Sequence, residues 1–401
     1  MIRHSAIGLF LATVLLFSCS TTPVDAAGSP DASAAQEPLV DNGPALKDVY
    51  APYFLMGAAI NGYNTQTAAI NHPGMADILK RHFNTTTLSN LMKPSYLLDE
   101  KASKAAADGL PVTKFDSVIP SMNFCRDNGI VMRGHTLVWH NQTPDWFFYE
   151  DYDKTKPLAD AATMDKRLES YIKQVLEFLQ GEYPGVIYCW DVVNEVINDN
   201  GTWRHDKSFW HQIMGTSYIE KAFTYARTYA EPSVRLIYND YNVFLPPKRD
   251  AIYKMVEGLK EKGIIDGIGL QPTVGLTWPQ LDGNASSSFR TMLATFAKLG
   301  LELQVTELGF HVPEKQRGPA STVQQTARFR EMMELLLEFD SDNGGPANIT
   351  SVTVFGICDD YPLYNNHRQD IFLYDGDCKP KPALFAWREP GLALQAAKAG
   401  E

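Results

Sequence analysis

The sequence predicts an α/β protein built as a single (β/α)8 TIM barrel with elongated βα loops. From Phe54 onward, short apolar runs alternate with longer amphipathic segments, the pattern of repeated βα units. Eight such runs occur in about 350 residues, with no fixed-period repeat and no second boundary among them. Several of the runs stop on Asn, Gln or Glu, at the end of the strand where a barrel gathers its chemistry.

Strands are expected at 54–60, 84–89, 130–137, 186–194, 234–239, 267–271, 301–306 and 351–357. Helices between them include 164–179, 217–229, 248–262, 287–299 and 322–339, each with apolar residues at three- and four-residue spacing. The fourth strand organises the rest. Residues 188–195, YCWDVVNE, form a short apolar run suited to burial on both faces of a parallel sheet, and the run stops at the carboxylate Glu195. Taken alone, a solvated glutamate explains this as well as a catalytic one. A second carboxylate and a ligand-binding lining are needed to decide it.

With 401 residues, 44% hydrophobic and 21% charged, the chain is long enough for one large domain or two smaller ones. A formal charge of −11 without any Lys/Arg run argues against a nucleic-acid surface, which needs clustered cations to grip phosphates. The five cysteines, at 19, 125, 189, 358 and 378, are widely spaced and form no CxxC pair. They point to neither a zinc site nor a dense disulfide framework, and a single bridge to Cys378 stays open. Residues 1–19 have the layout of a secretory signal, with Arg3 and His4 ahead of an apolar block too short to span a membrane. The ending LFSC resembles a bacterial lipobox, so Cys19 is the expected lipidation site, with plain secretion as the alternative. The expected map is a signal at 1–19, a Ser/Thr/Pro/Ala/Gly-rich tether at 20–46, the barrel at 47–395 and a tail at 396–401. A secreted monomer is expected, held at the outer membrane, cell surface or periplasm only through the lipid.

The remaining strand ends supply the lining. After the third strand comes RGHTLVWHNQTPDWFF, 133–148, which brings His135, Trp139, His140, Gln142 and Trp146 to one rim. Two histidines without a third ligand at metal spacing do not make a metal site, and no metal or cofactor is expected. Indole faces cover the apolar side of a pyranose, while amides and imidazoles bond its hydroxyls. The fifth strand adds Asn239, Asp240 and Tyr241, and the sixth adds Gln271. The seventh, LELQVTELG, carries Glu307 directly after a β-branched run, and this is the second carboxylate. Glu302, at the other end of that strand, is expected to be solvated at the bottom of the barrel. Two glutamates at strand ends among aromatics and amides point to glycoside hydrolysis by a carboxylate pair.

Four segments, HFNTTTLSNLMKP from His82, RGHTLVWHNQTP from Arg133, WDVVNE from Trp190 and TEL from Thr306, give the chain its resemblance to glycoside hydrolase family 10, the xylanase family. YNDYN from Tyr238 and KPKPAL from Lys379 support it. The resemblance implies retaining cleavage of β-1,4-xylan, with Glu195 as the acid/base and Glu307 as the nucleophile. The two carboxyls should then lie about 5 Å apart, with Glu195 protonated near neutral pH. By position, Asn194 resembles the residue that bonds the 2-hydroxyl of the −1 sugar, and Asn90 and Lys93 the pair that holds the −2 sugar. His135, Trp139 and Gln142 match the lining of both subsites, while Asn239 and Gln271 match polar residues around the carboxylates.

Several positions depart from the family pattern. Ser89 stands where a Glu is usual on the second strand. Thr273 replaces the His that bonds the nucleophile, and Gly309 replaces that histidine's Asp partner. Losing both avoids the cost of about 1–3 kcal/mol for one orphaned buried group, so a reworked support shell is expected around Glu307. On the eighth strand, Phe355 stands where a Trp is usual, and the following loop offers Tyr361, Tyr364, His367 and Arg368 in place of a second Trp. A more polar lid of this kind would admit branched xylan, with Arg368 facing an acidic branch. The competing reading is a xylan-binding surface protein on the same fold with weakened catalysis.

Overall fold

The computed structural model describes residues 39–359 and 370–400. Cys19, Tyr361, Tyr364, His367 and Arg368 lie outside the described residues. Apolar and β-branched runs form β1 (Leu55–Ile60), β2 (Thr85–Leu88), β3 (Val131–Trp139), β4 (Ile187–Asn194) and β5 (Arg235–Tyr241). They are followed by β6 (Gly267–Gln271), β7 (Thr273–Gly275), β8 (Glu302–His311) and β9 (Asn348–Val354). The pairing runs β6-β5-β4-β3-β2-β1-β9-β8 and is closed by β6 against β8, all parallel. Among the described residues, eight strands therefore close the expected barrel and leave no free sheet edge.

The ninth strand was not expected. β7 is a short spur that pairs Thr273 with Gly309 and Gly275 with His311, and it draws β8 out to His311 instead of letting it end at 306. Glu307 thus sits within a strand and not at its end. What turns its side chain toward the barrel mouth is local irregularity. The β8–β9 register shifts between Val305 and Leu308, and comparable shifts fall between His135 and Val138 and between Asp191 and Val193. Bulges re-aim side chains in this way beside functional sites.

The helices pack their apolar stripes onto the barrel wall. Ala161–Glu182 buries Met164, Leu168, Tyr171, Ile172, Val175, Leu176 and Leu179 along one face, and Asp160 caps it by accepting the Thr163 N–H. Ser288 caps Phe289–Ala297 in the same manner through the Thr291 N–H. Two boundaries differ from expectation. Asp41 lies in the segment read as tether, yet its buried carboxylate pairs with Arg388 at 2.7 Å and His82 at 3.0 Å, so packing onto the barrel has begun by that residue. The last helix, Pro382–Gly400, runs through most of the stretch read as a tail. Composition conceals both, since a single ion pair can anchor an otherwise polar segment.

The barrel interior holds a buried charged cluster. Arg133 grips Asp191 in bidentate fashion (3.0 and 2.6 Å) and donates from Nε to Gln304 at 2.8 Å. Below it, Glu302 is not solvated as expected. It is buried, bonded by Arg235 at 2.7 Å and by the Thr350 hydroxyl at 3.1 Å.

Cys358, just beyond β9, and Cys378, ahead of the last helix, are both free thiols with their sulfurs 3.0 Å apart. Treatment with oxidised glutathione is expected to link them, lowering the intact mass by two hydrogens and adding about 3 kcal/mol of stability for a loop of this size. Mass spectrometry with thermal denaturation reads both effects, and Cys378→Ser should abolish both.

Candidate active site

At the C-terminal mouth of the barrel lies a cleft of about 650 Å³. Asn90, Lys93, His135, Trp139, Gln142, Asn194, Glu195, Gln271, Glu307 and Phe355 all line it. Asn239 lies fully buried beneath its floor.

Glu195 follows the last residue of β4 with φ at +57°, in the left-handed region that a glutamate rarely adopts and that costs about 1–3 kcal/mol. Two bonds hold it there. Its N–H donates to the Asn239 carbonyl at 3.0 Å, and its own carbonyl accepts from Arg204 Nε at 2.9 Å. The side chain is fixed separately, by the Trp139 indole N–H donating to Oε2 at 2.9 Å. Arg204 also donates to the Tyr241 hydroxyl at 2.8 Å, which ties the strand-four turn to the end of β5. One residue on, the Val196 N–H donates to the Tyr238 hydroxyl at 3.1 Å, and that hydroxyl donates to Asp240, itself paired with Lys248 at 2.8 Å.

Asn194 is oriented by a relay. The Thr306 hydroxyl donates to Asn239 Oδ1 at 2.7 Å, which fixes the Asn239 amide so that its Nδ2 donates to Asn194 Oδ1 at 3.1 Å. Gln271 Nε2 donates to the same oxygen, also at 3.1 Å. With Oδ1 doubly bonded, the Asn194 amide is left to offer its N–H groups to a hydroxyl in the cleft. His135 is set by the buried cluster, its Nδ1 lying 2.9 Å from Asp191 Oδ2. Burial pulls its pKa below the usual range, so the ring is neutral, and with Nδ1–H given to Asp191 the Nε2 is an acceptor.

Burial first, and the charge of Glu195 second, push the Glu307 carboxyl up to about 8, opposed by Lys93. The desolvated Lys93 ammonium is pulled down to about 8 and held up by the same two glutamates. Its Nζ lies 3.3 Å from Asn90 Oδ1 and 4.6 Å from the centre of the Trp139 ring. Gln142 Nε2 stands 3.5 Å from that same Asn90 oxygen. Two carboxyls, the cations Lys93 and Arg204 and a set of oriented amides on one open cleft are suited to splitting a glycosidic bond.

Residues 45–390 match the family model described as Glycosyl hydrolase family 10. The chain belongs to glycosyl hydrolase family 10. A Caldicellulosiruptor saccharolyticus protein, provisionally named an endo-1,4-beta-xylanase, is 60% identical over 76% of this chain and 98% of its own length. Endo-1,4-beta-xylanase B of Butyrivibrio fibrisolvens is 41% identical over 85% of this chain, which spans about half (52%) of that relative. Among solved structures, the CBM22-1-GH10 modules of Clostridium thermocellum endo-1,4-beta-D-xylanase 10B, complexed with xylohexaose, superpose with a TM-score of 0.76. That match has 30% identity and covers 86% of this chain and 67% of the other. The Thermoanaerobacterium saccharolyticum intracellular xylanase TsXylA gives a TM-score of 0.73 at 32% identity, over 87% of this chain and 99% of its own.

In this family 10 hydrolase, Thr273 and Gly309 stand beside the Glu307 strand. The Thr273 hydroxyl donates to the Glu307 backbone carbonyl at 2.6 Å. A Cβ on Gly309 would lie 2.3 Å from Ile371 Cγ2, so that space is already filled by an apolar side chain. Ile371 also packs with Ala59, Phe355 and Phe372, and Phe355 meets His135 edge-on at 6.5 Å between ring centres. Among the described residues, no side chain hydrogen-bonds the Glu307 carboxylate. The Glu307 carboxyl, pushed upward chiefly by burial, is thus left without a side-chain donor.

Tyr241, read from the sequence as part of the lining, does line the cleft, and so do Arg204 and Tyr63, which were not singled out from the sequence. Arg204 sits in a loop with no local pattern to mark it.

The pH dependence follows from Glu307 and Lys93. As pH rises through about 8 the Glu307 carboxyl gives up its proton and the Lys93 ammonium begins to lose its charge. We expect kcat/KM to fall with rising pH from about 8. A profile still flat at pH well above 9 would remove that assignment.

Proposed function

We propose that the chain is a retaining endo-β-1,4-xylanase, and that Glu307 and Glu195 carry the reaction. What supports the reading most is that both carboxyls line one open cleft together with the oriented Asn194 amide. An open cleft admits a chain at internal bonds, whereas a closed pocket would select chain ends. Ionised Glu307 attacks the anomeric carbon while Glu195 passes its proton to the departing oxygen, giving a glycosyl ester and a shortened chain with a new hydroxyl. Glu195, now anionic, takes a proton from water as that water attacks the same carbon, and Glu307 is released. The reaction requires the pair's proton to be on Glu195 in the substrate complex, and the Trp139 indole keeps that carboxyl in place for the transfer. Neutral His135 and the Asn90–Lys93 pair bind hydroxyls on the glycone side. We further propose, from the resemblance of LFSC to a lipobox, that the enzyme works outside the cytoplasm on a lipid anchor at Cys19, a reading that radiolabelled palmitate incorporation into the full chain and its Cys19→Ala variant would test.

The test is reducing-end release from linear xylan, paired with inactivation by a 2-fluoro-xylobioside. Covalent label on the peptide containing Glu307 is the expected result. Binding of xylan without release, or label on another residue, would overturn the reading.

A further inference from the structure

A second concavity of about 430 Å³ opens beside the cleft and shares Asn242 and Thr273 with it. Its other walls include Val274, Gly275, His311 and Trp278. The two spaces therefore adjoin across Asn242 and Thr273. Their direction follows from the barrel. Asn90 and Lys93 follow β2, whereas Thr273 follows β6, four strands away around a ring of eight and so on the opposite side of the mouth. If Asn90 and Lys93 hold the glycone, the concavity past Thr273 receives the leaving chain.

Trp278 is 52% exposed, one of the few large apolar residues left so open. It is nevertheless held firmly. Its indole rests on buried Phe244 in a T-shaped contact with 4.8 Å between ring centres. The loop that carries it is pinned from below by Arg328, which is only 6% exposed. The Arg328 guanidinium donates from Nη2 to the Pro279 carbonyl at 2.7 Å and reaches the Gly275 carbonyl at 3.5 Å, while it covers the Phe310 ring at 5.2 Å. An indole whose position is set before any ligand arrives, on the rim of a concavity that adjoins the cleft, has the chemistry of a sugar platform.

We propose that Trp278 forms a distal subsite on the leaving-group side, stacking a xylosyl unit beyond the one next to the cleaved bond and so setting the enzyme's preference for long chains. This rests on the xylanase reading above. A purely structural role as a lid on Phe244 makes a different prediction, since it would lower stability without regard to substrate length.

The experiment compares the whole protein with Trp278→Ala and Trp278→Phe on xylotriose and on xylohexaose labelled with ¹⁸O at the reducing end. Stacking lost from one subsite should lower kcat/KM on xylohexaose about tenfold in Trp278→Ala, with Trp278→Phe intermediate and xylotriose nearly unchanged. Label should also move to shorter products, because a chain that has lost its distal hold on the leaving side binds with fewer units there. An equal loss at both lengths, no loss at either, or an unchanged label distribution would overturn the proposal, and a fall in melting temperature matching the loss would assign Trp278 to structure. Failure of the wild-type protein to cleave any xylo-oligosaccharide would instead remove the xylanase reading.

Discussion

Glu307→Ala is expected to lower turnover on xylan by roughly four to six orders of magnitude, as removal of a covalent nucleophile does. The structure makes the loss steep, because among the described residues no other carboxylate lines the cleft apart from Glu195. Azide supplied to the variant should enter the vacated space and attack the anomeric carbon once, giving the α-xylosyl azide. Glu195→Ala differs in kind. It retains formation of the glycosyl ester from substrates with very acidic leaving groups, and azide then displaces Glu307 to give the β-azide. Chiral analysis of the two products checks the roles independently of the rates. The β-azide from Glu307→Ala would reverse the assignment. Glu307→Ala is also expected to stabilise the fold above pH 5. A carboxyl raised from its usual value to about 8 binds its proton more tightly when folded, so its presence weakens the folded state progressively as pH rises from about 4.5 toward 8.

Asp191→Ala should have the largest effect on stability, a loss of about 3–5 kcal/mol measured by urea denaturation. Asp191 is fully buried and holds three partners: both Nη atoms of Arg133 and the Nδ1 of His135. Removing it leaves a guanidinium without its counterion inside the barrel, where among the described residues only Gln304 still accepts from it. The same change frees the His135 tautomer and should raise KM through a disordered glycone lining, even where the variant still folds. Replacing Arg133 and Asp191 together with apolar residues of similar size should cost less than Asp191→Ala alone, since no orphaned charge remains. A single-variant loss within 1 kcal/mol would show that water reaches the cluster.

The barrel and the runs that carry Glu195, Gln271 and Glu307 were legible from local pattern, because alternation of apolar runs with amphipathic segments depends on neighbours within a few residues. Asn90, Lys93, Asn194 and Phe355 entered only through the resemblance to family 10. The segments that escaped notice depend on partners far away in the chain. Asp41 joins the domain through Arg388, and the spur at Thr273–Gly275 exists only because Gly309–His311 lies beside it. Asp191 reads as one polar residue in an apolar run until Arg133 is brought against it across the β3–β4 register. Arg204 has no motif at all, and its value comes from reaching the Glu195 carbonyl and the Tyr241 hydroxyl at once.

By itself, the sequence determined a (β/α)8 barrel with two carboxylates and an aromatic rim, because periodicity and residue type are local properties, while the role of the Asn194 amide came from the resemblance to family 10. The tertiary structure alone decided that the Glu307 carboxyl is pushed upward, that Thr273 bonds its backbone carbonyl while Ile371 packs over Gly309, and that a second concavity beside Trp278 adjoins the cleft. Those outcomes turn on desolvation, on the field of charges from other strands and on the shape of loops packed side by side, and each is a property of distances that folding creates.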